Sequence, residues 1–266
     1  MVEAIRKLAL GFQLVYMGML VIVLGVVVGL IGGFALPFAV QGGYIPVETM
    51  TQLIGILPIA IAACMLIGYI MGIAGRYICT QTPEFAGKAR TDIRISFTLE
   101  MSAFVLNMVI SIWKYLIPAI VMLGILPESL DFVGSIKSII SIIVFILVIS
   151  SVLYFVMYTR NLAAFVGADD LSERSEMVRS SILWLLRLVF VTTIITFFIL
   201  PFCLFILIPF GLVIGIPSIC ALGFLYVAIF VLSISVFFRY VRIVVAMPAV
   251  LKAYNSPTDT QNGPSE

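Results

Sequence analysis

Long uncharged stretches divide this chain. Between Arg187 and Arg239 lie 51 consecutive residues without a charged side chain. As helix they would extend about 76 Å at roughly 1.5 Å per residue, against a hydrocarbon core about 30 Å thick. That run must cross a membrane twice. Leu8 to Val47 and Thr49 to Gly75 are also uncharged. Lipid offers the backbone no hydrogen-bond partners, so only helices or closed barrels span it, and these runs are too long for barrel strands. The pattern predicts an all-α fold, a polytopic membrane helical bundle of six transmembrane helices. The spans fall near residues 8–36, 51–75, 97–124, 136–158, 181–208 and 212–238 of one membrane domain covering 1–252. The remainder, 253–266, is polar, contains Pro257, Gly263 and Pro264, and reads as a disordered cytoplasmic tail.

Composition agrees: 63% of residues are hydrophobic and 11% charged, where a soluble domain carries about 25% charged. Of the 15 basic residues, 12 fall in four segments: Arg6 and Lys7; Arg76, Lys88, Arg90 and Arg94; Arg160, Arg174 and Arg179; Arg239, Arg242 and Lys252. The alternating connections carry one, Lys137. Because basic residues flanking spans stay in the cytoplasm, both termini and both charged loops are expected there. The apolar run from Leu8 exceeds the roughly 7–15 residues of a cleaved signal peptide, so it reads as a retained first span.

A shift of 84 residues places Arg6 on Arg90 and Arg174, Arg76 on Arg160, Asp92 on Glu176 and Ser96 on Ser180. Three hairpin repeats of about 84 residues, all in one orientation, would produce this register. Regularly spaced cytoplasmic charge in any six-span protein would produce some of it too. In the loops, Thr82-Pro83-Glu84 resembles a capped helix start with proline in the first turn. Asp169 is a second candidate cap. Glu84 with Lys88, Lys88 with Asp92 and Asp170 with Arg174 are spaced for pairing along a helix. These charges suit a docking surface or simply solvated helix ends.

In the first span Gly11, Gly18, Gly25 and Gly32 recur every seven residues, with Gly29 four after Gly25, and the second span offers Gly68 and Gly72. Small residues let membrane helices approach closely, so spans 1 and 2 are expected to pack through these stripes. A contact between two copies of the chain is the alternative use.

One constellation could carry transport or chemistry. Glu100, Asn107, Ser111 and Lys114 in span 3 fall at i, i+7, i+11 and i+14, which confines them to an arc of about 60° at roughly 100° per residue. Charge inside a bilayer is costly and marks a functional candidate. Equally, Glu100 could lie at the inner boundary, and Trp113-Lys114-Tyr115 could form an aromatic belt with a snorkelling lysine. Arg187 in span 5, moved back by one repeat, falls within a turn of Glu100 and is a candidate partner for it. Trp184 beside it suggests snorkelling instead.

No histidine is present, which removes the usual haem and zinc ligands and the base of serine hydrolases. Cys64, Cys79, Cys203 and Cys220 contain no C-x-x-C motif. Cys203 and Cys220 lie on either side of the turn of the last hairpin, a placement open to a disulfide or to simple apolar packing. Phosphate-binding loops are also lacking. Neither a catalytic site, a cofactor, a metal nor a nucleic-acid partner is expected.

The segments Gly11-Phe12-Gln13-Leu14, Gly75-Arg76-Tyr77-Ile78-Cys79, Thr82-Pro83-Glu84 and Ala89-Arg90 resemble a functionally uncharacterised family of six-span bacterial membrane proteins. The resemblance covers the first repeat best and implies a bacterial inner-membrane location, without supplying an activity or site residues. The leading expectation is a structural or assembly subunit that packs with other membrane proteins or with itself in the lipid bilayer. The alternative is a small-solute channel or transporter using the polar face of span 3, with Pro118, Pro201, Pro209 and Pro217 as breaks in its helices.

Overall fold

The computed structural model describes residues 2–42, 44, 46–122, 131–196 and 211–255. Among them the long elements are all helices: α1 (Val2–Gln41), α2 (Val47–Cys79), α3 (Lys88–Met122), α4 (Asp131–Phe165), α5 (Asp169–Ile194) and α6 (Gly211–Asn255). All six are long and apolar enough to cross a membrane. Pro201, Pro209 and Cys203 lie outside the described residues, as do residues 256–266, while Pro118 and Pro217 fall inside α3 and α6.

Polar chemistry starts and stops these helices, in places differently from expectation. Thr82 does not cap a helix. Its hydroxyl donates to the Cys79 carbonyl at 2.6 Å and lies 3.1 Å from the Tyr158 hydroxyl, so it closes the end of α2. Glu84–Ala86 forms one 3-10 turn, Gly87 turns the chain at a φ of 51°, and α3 starts at Lys88. Glu84 pairs with Arg90 rather than Lys88, and the guanidinium beside it holds its carboxyl below the usual range. In the second loop Gly167, at a φ of 75°, ends α4. Both glycines occupy left-handed backbone that side chains with a Cβ avoid. The residue flanking α5 is Ala168, so Asp169 is its first residue and not a cap, while Asp170 and Arg174 pair at 2.7 Å as their spacing predicts. Helix α6 runs well past 238 to Asn255, because Arg239 and Arg242 point outward while Tyr240, Ile243, Val244, Met247 and Leu251 are buried.

The helices form a ring in chain order, closed by α1 against α6. Within the first hairpin the backbones nearly touch. A Cβ on Gly18 would lie 2.5 Å from the Gly68 carbonyl oxygen, and one on Gly11 would lie 2.8 Å from that of Gly75. The contacts of Gly25 with Cys64, Gly29 with Ile61 and Gly32 with Leu57 continue the antiparallel line. Gly72 takes part through its backbone, its amide nitrogen 2.9 Å from a Cβ on Gly18, while its own Cβ direction is open, and Gly75, absent from the sequence-based stripe, adds a close contact with Gly11. The second hairpin is fastened by polar side chains: Ser96 donates to the Ser151 carbonyl at 2.8 Å, Ser151 donates to that of Ser96 at 2.9 Å, and Asn161 donates to Asp92 at 2.6 Å. Such bonds hold helices together where lipid removes the hydrophobic drive. Between α5 and α6, the hydroxyls of Thr196 and Tyr226 meet at 3.0 Å.

The apolar core lies at one end of the ring, the end bearing the charged loops. Its largest members are Phe12, Phe155, Tyr158, Ile93, Met247 and Leu251. Toward the other end large apolar side chains such as Leu24, Ile59, Ile142 and Phe230 are exposed, as a surface solvated by lipid tails requires.

Candidate functional site

Immediately beyond this core the six helices line a half-open cavity of about 320 Å³ at the centre of the ring. Its walls are mostly apolar, with Val15 and Ile22 from α1, Val152 from α4, Ile182 from α5 and Val236 from α6. Gly72 borders it, which accounts for the open space at that residue.

A buried ion pair lies on the wall. Arg76 Nη1 of α2 is 2.6 Å from Glu100 Oε2 of α3, with side chains only 7% and 6% exposed. The two meet because α3 begins with about three turns at the charged end, at ~3.6 residues per turn. Glu100 therefore stands level with the last turn of α2, which ends at Cys79. The Arg76 guanidinium also sits over the Phe155 ring, 5.3 Å from its centroid. Phe155 contacts Phe12 at 5.5 Å, Tyr158 at 5.8 Å and Tyr240 at 6.3 Å between ring centroids. This aromatic group separates the cavity from the charged end.

The site's hydrogen bonding is incomplete. Arg76 Nε is buried without a hydrogen-bond partner among the described residues, and the Tyr240 hydroxyl lies close to the Arg76 guanidinium without a well-aligned hydrogen bond. Glu100 Oε2 has the ion pair and no further donor. Unmet polar atoms in a dry interior cost about 1–3 kcal/mol each, more when charged.

The seam crossed by the ion pair is the sparsest between neighbouring helices. Besides Arg76 and Glu100 it is bridged by Tyr69 on Phe104 and Tyr77 on Phe97, at 5.7 and 5.6 Å between ring centroids. The Tyr69 hydroxyl lies 3.5 Å from the Glu100 carbonyl oxygen.

The sequence-based site divides. Glu100 faces inward, but its partner is Arg76 and not Arg187, which is exposed on the outside of α5 with Trp184. The polar stripe of span 3 does not line one interior face. Asn107 and Ser111 are exposed, the latter donating to the Asn107 carbonyl at 2.9 Å, and the side chain of Lys114 lies outside the described residues. Beyond the charged end no neighbouring helix covers this side of α3, so a face buried at Glu100 is exposed at Asn107 two turns later. Arg76 and Tyr240 were missed because each directly adjoins a loop or a charged segment. The signal available for Arg76 was its position at the very end of an uncharged run, facing the start of the next.

Among the described residues no cluster of three cysteine, aspartate or glutamate side chains could hold a metal ion. No family model, curated protein or solved structure matches the chain.

Proposed function

We propose that this protein is a non-enzymatic membrane carrier or receptor that holds a small, mainly apolar molecule with one polar group in its central cavity. The observation that carries the reading is an apolar cavity at the centre of the ring with Arg76, Glu100 and Tyr240 together on its wall. Binding sites of small molecules commonly have this make-up, apolar walls with few convergent polar atoms. Native mass spectrometry of gently solubilised protein should show a small bound molecule. Val152→Trp, which fills the cavity, should remove it, and Val109→Trp on the exposed side of α3 should not. A bare chain under all conditions would count against the reading.

A second reading, an assembly subunit that packs against another membrane protein, rests on Asn107. Its amide is exposed on the outside of the spanning part of α3, where an interhelical partner would satisfy it better than lipid does. In the same experiment a stoichiometric protein partner, retained by both tryptophan variants, would favour it.

We further propose a bacterial inner-membrane location with both termini and both charged loops in the cytoplasm. The bias of basic residues toward one end supports this orientation. In a chain whose native cysteines are replaced by alanine, a thiol introduced at Gln41 should be labelled from outside intact cells. One at Ser172 should be labelled only after permeabilisation. Reversed labelling would overturn the orientation.

A further inference from the structure

A second cavity, of about 310 Å³, opens between α5 and α6 at the charged end. Arg174, Arg239 and Arg242 edge it, and Leu171, Val178 and Ile243 form part of its apolar lining. These three apolar residues are buried, whereas all three arginines are exposed. Arg174 is held by Asp170 through bonds of 3.1 and 2.7 Å. Neither Arg239 nor Arg242 has a carboxylate partner among the described residues, and no acidic residue lines the cavity. Glu176, the nearby acid on α5, is already engaged by Arg160 and Arg179.

Position in the chain sets the depth. Arg239 is the first charge after 51 uncharged residues, so it stands where hydrocarbon gives way to headgroups. Arg242 follows at i+3 on the same face of α6, and Arg174 faces both from α5. Guanidinium groups bind phosphate through two parallel hydrogen bonds. Unpaired arginines at that depth, above an apolar floor, match a molecule with an anionic head and an apolar body.

From this arrangement we propose that the cleft between α5 and α6 binds the phosphate of an anionic phospholipid, with Arg239 and Arg242 on the phosphate, Arg174 alongside, and the first carbons of the lipid over Val178 and Ile243. The site is separate from the central cavity and shares no lining residue with it. Lipid is the source of the phosphate because the cleft joins charge to apolar surface at the membrane boundary, whereas a free phosphate would have no use for the floor.

The test uses the full chain in nanodiscs of phosphatidylcholine containing one-tenth phosphatidylglycerol, followed by release and native mass spectrometry. Wild-type protein should retain phosphatidylglycerol, and Arg239→Gln/Arg242→Gln should retain at least tenfold less. Arg6→Gln/Arg94→Gln, which removes equal charge elsewhere at the same end, should behave as wild type. Ala246→Trp reads the same site by filling the cleft with charge unchanged, and should also lose the lipid. Ten millimolar inorganic phosphate should not displace it. Equal loss from both double variants would reduce the effect to general charge, and displacement by inorganic phosphate would remove the lipid from the proposal. Either result, or undiminished lipid in Ala246→Trp, overturns it.

Discussion

Glu100→Gln should lower the stability of the solubilised protein by about 3–5 kcal/mol, the cost of leaving one member of a buried ion pair without its partner. The guanidinium it strands cannot escape by giving up its proton. Arg76→Gln should cost less, since a stranded carboxyl can take up a proton and become neutral. The double variant Arg76→Gln/Glu100→Gln should recover part of the loss, because a buried charge no longer lacks a counter-charge. Arg187→Gln in the Glu100→Gln background should recover none, since Arg187 is on the outside of α5. Thermal unfolding of the four proteins decides the matter by a double-mutant cycle. Additivity of the Arg76 and Glu100 changes would show that the pair is not coupled.

Gly18→Leu should be among the most damaging single changes in the first hairpin. A Cβ there meets the Gly68 carbonyl oxygen at 2.5 Å and the Gly72 amide nitrogen at 2.9 Å, and these are backbone atoms that cannot swing aside. Separating the two helices would also loosen the contact of Gly11 with Gly75. A loss of about 3 kcal/mol or more, the upper end for overpacking, should appear as a collapse of monodisperse yield in detergent. Gly25→Leu should be milder, its nearest neighbour being the Cys64 Cβ at 3.0 Å. Gly33→Leu should be close to neutral, as nothing approaches within 4 Å. Equal yields for Gly18→Leu and Gly33→Leu would remove close backbone packing from the account of this hairpin.

The membrane spans and the approximate glycine line were legible in the sequence because each depends on one period along one helix. Uncharged length counts out spans, and glycine every seven residues marks a face. The partner of Glu100 depends instead on how far two helices slide past each other. The 84-residue shift suggested a depth for Arg187, but it said nothing of which way Arg187 points around α5. Nor did it show that α3 starts deep in the charged end and lifts Glu100 to the level of Arg76. The stripe from Glu100 to Ser111 failed for a related reason. Helical periodicity assigns residues to a face, but it does not tell whether a neighbour covers that face along its whole length. Thr82 illustrates the same limit locally: a hydroxyl before proline can begin the next helix or finish the previous one, and here Cys79 and Tyr158 compete successfully for it.

The confinement of the core to the charged end has a mechanical consequence. Near Phe12, Phe155 and Tyr158 the spacing of the helices is set by the chain itself, through shapes that interlock and resist compression. Farther along, where Leu24, Ile59, Ile142 and Phe230 are exposed, much of the lateral support comes from acyl chains. Apart from α1 and α2, which glycine contacts join along their length, the helices thus behave as rods clamped at one end and sleeved at the other by their solvent. Bilayer thickness and lateral pressure act on the sleeved end. They alter the spread of the helices there while leaving the clamped end in place, so the width of the ring above the ion pair is a property the protein shares with its lipid.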